Sequence, residues 1–194
     1  MPGRTNAERG QAVRAQLLTA ARELIGEIGW NAVSTRILAE RAGVRSGLVH
    51  YHFESLQALL RQAALEAMRG MLEGTAAFLT VSANPADGIE AMLSELDEYT
   101  GDDPVSLLFI EAYLAATRDP ILHEQMQALV NEFRNAVAAA LSDAGHRAPE
   151  AAAVIVMAVF DGFLLHKGLN PELSADRIAP ELRKITDTRS NGAH

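Results

Sequence analysis

The chain has no cysteine, and its 194 residues include only one tryptophan, three tyrosines and six phenylalanines. The missing thiols remove disulfide frameworks, thiolate zinc sites and cysteine nucleophiles together, and they suit a reducing compartment, so a cytoplasmic address is expected. Long apolar runs are missing too. The most apolar stretch, Ala151 to Phe160, is interrupted by Asp161 after ten residues, against the roughly 20 that a bilayer crossing needs. A buried helix is expected there, with no membrane partner. The first ten residues lack the apolar segment of a secretory signal and read as a mobile arm.

Positive charge is scarce. Lys and Arg number 17 against 25 Asp and Glu, for a net charge of −8, which disfavours a polyanionic partner for the chain as a whole. The deficit is uneven, however. Residues 1–55 carry seven arginines against five glutamates, with His50 and His52 in addition, whereas residues 56–194 carry 10 basic against 20 acidic side chains. DNA would have to meet the N-terminal end.

What the sequence has is helical periodicity. Leu17, Ala21, Leu24, Ile25 and Ile28 fall on one helix face, and Gly29 ends that helix. Ser34 is a plausible N-cap for a short helix over Thr35 to Arg41 with Leu38, Ala39 and Ala42 on one edge, and Gly43 breaks it. A third segment covers Ser46 to His52, and a long fourth carries Leu59, Leu60, Ala63, Ala64, Ala67, Met68 and Met71. Beyond residue 75, Asn84-Pro85, Asp103-Pro104, Asp119-Pro120, Gly145 to Pro149 and Asn170-Pro171 punctuate helices expected near 86–99, 104–117, 120–143, 150–168 and 174–187. No strand is expected, and the tail from Thr188 should fray.

The stretch from Ser34 to Phe53 carries the chemistry. Two short helices meeting at Ala42-Gly43-Val44, where small residues allow close approach, follow helix-turn-helix grammar. The second helix of such a unit enters the DNA major groove and presents its N-terminal residues to base edges. Here those are Arg45, Ser46, Gly47 and Leu48.

Residues 11 to 71 resemble the tetracycline-repressor (TetR) family of ligand-controlled transcriptional regulators. The resemblance rests on Gly29-Trp30, Ser34-Thr35-Arg36, Leu38-Ala39, Ala42-Gly43-Val44, Gly47, Val49, His50-Tyr51-His52-Phe53 and Ala58-Leu59-Leu60, in that order. It implies an all-α protein of about nine helices. A three-helix DNA-binding lobe (11–71, helix-turn-helix 34–53) would be followed by a helical effector-binding and dimerisation body (72–188). Leu48 and Leu56 depart from the family pattern, which usually has a small polar residue and a phosphate-touching lysine there. Ile37 replaces a commonly acidic residue and reads as core. Phosphate contacts are therefore expected from Arg36, Arg45, Ser46 and Tyr51, helped by Arg4 and Arg9 of the arm, because backbone contacts fix register while base contacts specify sequence. His50 and His52, two residues apart, point to different sides of a helix and suit the DNA backbone better than a shared metal. Arg41 reads as a solvated helix-end charge, and Trp30 and Phe53 as core.

Catalytic motifs fail on inspection. His123-Glu-Gln-Met-Gln127 lacks the second histidine of the zinc-protease helix, and no dinucleotide or phosphate-binding glycine loop and no Gly-x-Ser-x-Gly appears. No enzyme, metal or cofactor is expected. In the body, the resemblance implies a sensor and a dimer contact. The apolar helix 150–168 and the helix 174–187 would form a two-fold four-helix bundle through Val156, Phe160, Asp161, Phe163, Ile178 and Leu182. Candidate effector contacts are Tyr99, Phe109, Glu111, Tyr113, His123, Met126 and Phe133, a mostly apolar set with a few polar handles. The expected function is repression from a palindromic double-stranded DNA operator by a homodimer, released by a small, largely apolar effector. Two alternatives stand: a helical binding or enzymatic protein keeping the lobe as a relic, and constitutive repression without a ligand.

Overall fold

The computed structural model describes residues 5–188. Among the described residues there are nine α-helices, one short 3-10 turn and no strand: α1 Asn6–Ile28, the 3-10 turn Trp30–Ala32, α2 Thr35–Arg41, α3 Gly47–His52, α4 Leu56–Val81, α5 Pro85–Leu96, α6 Pro104–Ala116, α7 Pro120–Asp143, α8 Pro149–Lys167 and α9 Ala175–Thr186.

Three of the body helices start for the same local reason. A proline occupies the first turn, where its missing N–H is no loss, and the preceding Asn or Asp side chain accepts the freed amides. Asn84 accepts from Asp87 N–H at 3.0 Å, Asp103 from Val105 and Ser106 at 3.0 Å each, and Asp119 from Ile121 and Leu122 at 3.1 Å each. Burial alone would raise the Asp103 carboxyl, but the Ser106 hydroxyl, donating at 2.6 Å, and the surrounding amides hold it below its ordinary value.

The second half of the ten-residue arm expected at the N-terminus is helix, and residues 1–4 lie outside the described residues. Thr5 Oγ1 accepts from Glu8 N–H at 3.2 Å while Glu8 accepts from Thr5 N–H at 2.7 Å, a reciprocal cap that starts α1 at Asn6. Arg9 stands exposed on α1, and Arg4 lies outside the described residues.

Two apolar interiors result, and the first does not stop at residue 71. The first gathers Leu17, Leu24, Ile25, Leu38, Val49, Leu59 and Leu60, and it also takes in Leu108 and Ala112 of α6 and Leu122 of α7. The second gathers Ile89, Met92 and Leu93 of α5 with Phe133, Val137 and Leu141 of α7 and Val156, Phe160 and Phe163 of α8. α4 and α7 run through both, so the expected division at 71/72 falls inside an unbroken helix. α1 crosses the start of α6 so closely that a Cβ on Gly26 would stand 2.2 Å from the Pro104 carbonyl oxygen. Only glycine permits that backbone contact.

α8 is the one helix among the described residues long and apolar enough to cross a membrane, longer than the ten-residue run suggested. Its inward face packs in the second interior instead.

Candidate functional site

The helix-turn-helix is held by short-range contacts. Ser34 Oγ caps α2 by accepting from Ile37 N–H at 3.3 Å, Gly43 turns the chain at φ +67°, and Val44 N–H closes the turn on Ala39 O at 2.9 Å. Arg41 bridges back to α1, pairing bidentately with Glu27 at 2.8 and 2.6 Å and reaching Glu23 at 3.3 Å. Its hydrogen bonds hold the Glu27 carboxyl below the ordinary range. Arg41 is thus the exposed charge expected at the end of α2, and it also ties that helix to α1.

α3 is anchored from beneath. Val49 is fully buried, Phe53 is buried with the Arg14 guanidinium 4.4 Å over its ring, and Phe53 N–H bonds Val49 O at 2.9 Å. With Val49 and Phe53 facing in, Arg45, Ser46, Gly47, His50 and Tyr51 face out, Tyr51 with 78% of its surface exposed. Arg45 makes no ion pair among the described residues, whereas Arg36 makes only an exposed contact to Glu40 at 3.8 Å. His52 is half-covered, its ring lying against Gly10 of α1 and edge-on to Tyr51 at 4.9 Å. Leu48 is also half-buried. Leu56 packs on the first interior, as does Ile37, so the departure at 56 fills core space. One end of the lobe therefore offers free hydrogen-bond donors, an aromatic hydroxyl and the unpaired guanidinium of Arg45 just before a stub of helix. That set can donate to phosphate oxygens and to acceptors on base edges.

A cavity of about 600 Å³ lies where the two interiors meet. Its wall is Met68, Met71, Leu72 and Thr75 of α4, Leu96 of α5, Phe109, Ile110, Tyr113 and Leu114 of α6, Met126, Val130 and Phe133 of α7, and the 157–165 stretch of α8. Tyr113, Leu114 and Leu165 are exposed and form its rim. Of the expected effector contacts, the structure brings Phe109, Tyr113, Met126 and Phe133 together there. The other three sit elsewhere. His123 is exposed on α7, and Tyr99 packs on the second interior beyond the end of α5. Glu111, one residue from the cavity wall on α6, turns to the lobe and accepts from Trp30 N–H at 2.8 Å, while Trp30 Nε1–H donates to Gln57 at 3.0 Å. Helical phase explains the miss, because consecutive residues of α6 serve opposite neighbours.

The same reasoning corrects the expected subunit contact. Val156, Phe160, Phe163 and Leu182 are buried inside their own subunit, and Ile178 packs half-buried on the same interior. Of that set only Asp161 stands on the outer side of α8, beside the cavity. α8 is apolar all round, so composition alone does not tell its inner from its outer face. The outer face carries Val154, Ile155, Ala158, Asp161, Leu165 and His166, with Leu169 adjoining. Among the described residues, no group of three His, Asp or Glu side chains converges as a metal site would.

Residues 17–63 match the family of bacterial regulatory proteins, tetR family, and residues 82–188 match the tetracyclin repressor-like C-terminal domain. An HTH-type transcriptional regulator of Mycobacterium tuberculosis is 30% identical over 185 residues, covering 90% of this chain and 93% of that protein. A transcriptional regulator of Streptomyces coelicolor superposes with a TM-score of 0.74 at 25% identity, covering 91% of this chain and 99% of that one. FadR of Bacillus subtilis, solved in complex with stearoyl-CoA, superposes with a TM-score of 0.70 at 16% identity, covering 93% of this chain and 99% of that one.

Proposed function

Because the chain belongs to the tetR family and is a DNA-binding transcriptional regulator, we propose that it is a cytoplasmic homodimeric repressor, released from a roughly palindromic operator by a small, largely apolar effector. The observation that carries this reading is the placement of the cavity. Part of its wall is built from α4 and α6, and the same two helices hold the lobe, α4 through Leu59 and Leu60 and α6 through Leu108, Ala112 and the Glu111–Trp30 bond.

An effector that fits the cavity better when α6 and α4 are shifted biases the lobe through contacts already made, and DNA and effector then oppose each other reciprocally. The crystal complex of FadR with stearoyl-CoA supports the reading that a body of this fold takes a ligand with a long apolar chain. Pairing through the outer face of α8 would set two copies of α3 to read major grooves about 34 Å apart, one helical turn. Contacts would come from Arg36, Arg45, Ser46, Gly47, Leu48, His50, Tyr51 and His52. Of these, Arg36, Arg45, Ser46, Gly47, His50 and Tyr51 are exposed, while Leu48 and His52 are half-covered.

The test is fluorescence anisotropy with the DNA upstream of the protein's own gene. Binding at low salt that weakens when an apolar effector is added supports the proposal. Absence of any binding at low salt, with Arg45 and Tyr51 intact, overturns it.

A further inference from the structure

The chemistry of the cavity wall narrows what can enter. Four of the chain's six methionines line it, Met68, Met71, Met126 and Met157, together with Phe109, Phe133 and Phe160. Thioethers are flexible and polarisable, so this wall adapts to a bulky apolar body instead of imposing one outline. Polar lining is confined to three side chains. Thr75 spends its hydroxyl proton on Met71 O at 2.8 Å, and Tyr113 stands exposed at the rim. The third is Asp161, the only charged side chain in the lining, and no Lys, Arg or His lines the cavity among the described residues. The nearest cation along α8, Lys167, is committed to the carbonyl and carboxylate of Asp97.

Asp161 itself has no hydrogen-bond or ion-pair partner among the described residues, and loss of surrounding water pushes its carboxyl above the ordinary value. Exposed at the mouth of the cavity and without a counter-charge, this carboxylate is stabilised by an arriving cation and destabilised by an arriving anion. A fatty acid, an acyl phosphate or a sulfonate would bring a second negative charge to a site with none of the opposite sign.

Resting on the reading of this cavity as the effector site, we infer that its ligand is a lipophilic amine, with its apolar body among the methionines and phenylalanines and its protonated nitrogen at Asp161. At a separation of several ångströms near the surface, one opposed charge is worth about tenfold in affinity over a neutral head, and one like charge costs a similar factor.

The experiment displaces the neutral fluorophore N-phenyl-1-naphthylamine from the full-length protein with decylamine, decanol and decanoate, each below its micellar concentration. The expected order is decylamine about tenfold tighter than decanol, with decanoate weakest. Asp161→Asn should bring decylamine level with decanol, and Asp161→Lys should put decanoate first. If decanol binds but the three heads are equivalent, or decanoate is preferred, the amine assignment fails while the cavity remains the ligand site. If none of the three displaces the fluorophore, the cavity reading fails as well. The comparison of heads on the unaltered protein stands whether or not either variant folds.

Discussion

The two ends of the molecule expose opposite kinds of surface. The lobe buries its aliphatic residues under α3 and leaves outside a cation, hydroxyls, histidine and Tyr51, each able to bond a polyanion and to let it go. The body leaves outside Val154, Ile155, Leu165 and Leu169, the last with 84% of its surface exposed. Apolar residues at that density suit a partner that stays, since little but burial recommends them. The contrast teaches that what a region fails to bury reports its partner more directly than net charge does. The whole chain carries −8.

The sharpest way to break the contrast is to give the body the polarity of the lobe. Val154→Glu with Ile155→Glu should leave the helical content intact by circular dichroism, halve the mass seen by light scattering, and cut operator affinity by roughly 1,000-fold as the second half-site is lost. A variant that stays dimeric would move the contact off α8. Next in size is the joint between the regions. Gly26→Ala drives a methyl into the Pro104 carbonyl and should lower stability by about 3 kcal/mol in chemical denaturation. A neutral result would mean that α1 and α6 can part enough to admit a methyl group.

Removing Arg45, which makes no ion pair among the described residues, comes third. Arg45→Ala should weaken operator binding by about 1–3 kcal/mol if the side chain reads a base, and should flatten the salt dependence by about one unit of slope if it meets only phosphate. Either way the melting temperature should not move. Tyr51→Ala should follow Arg45→Ala with a smaller loss. The smallest effect is that of acid. Asp97 would be raised by burial alone, yet the Lys167 ammonium and the Ala175 N–H hold it below its ordinary value, and Asp103 is held low as well. A depressed carboxyl contributes stability above its unfolded pKa of about 3.9 and loses it as pH falls through the lower native value. Stability should therefore be level from these groups between about pH 5 and 8 and decline below about pH 4, with a shallower decline in Asp97→Asn. Asp161, held high, works in the opposite sense.

Local chemistry was legible in the sequence and long-range packing was not. The starts of α5, α6 and α7 could be read because each cap is an Asn or Asp immediately before a proline. The start of α1 was equally available in Thr5-Asn-Ala-Glu8, a capping signature hidden inside a segment read as an arm. The recognition stub could be read because Val49 and Phe53 fix its phase. The face of α8 could not, since apolar residues surround it and only the packing of α5 and α7 decides which side turns inward. From its apolar neighbours in sequence, Glu111 reads as a ligand contact. Its partner, Trp30, lies 81 positions away, and no local pattern encodes that separation.

The shared first interior also bears on protein engineering. A chimaera that grafts another regulator's lobe at residue 71 would sever Leu17, Leu24 and Leu59 from Leu108, Ala112 and Leu122, leaving half an oil drop on each side of the splice. A transplant that carries α6 and the front of α7 along with the first four helices would keep that drop whole. Calorimetry of the intact chain should accordingly show one melting peak, with both halves of the molecule giving way together.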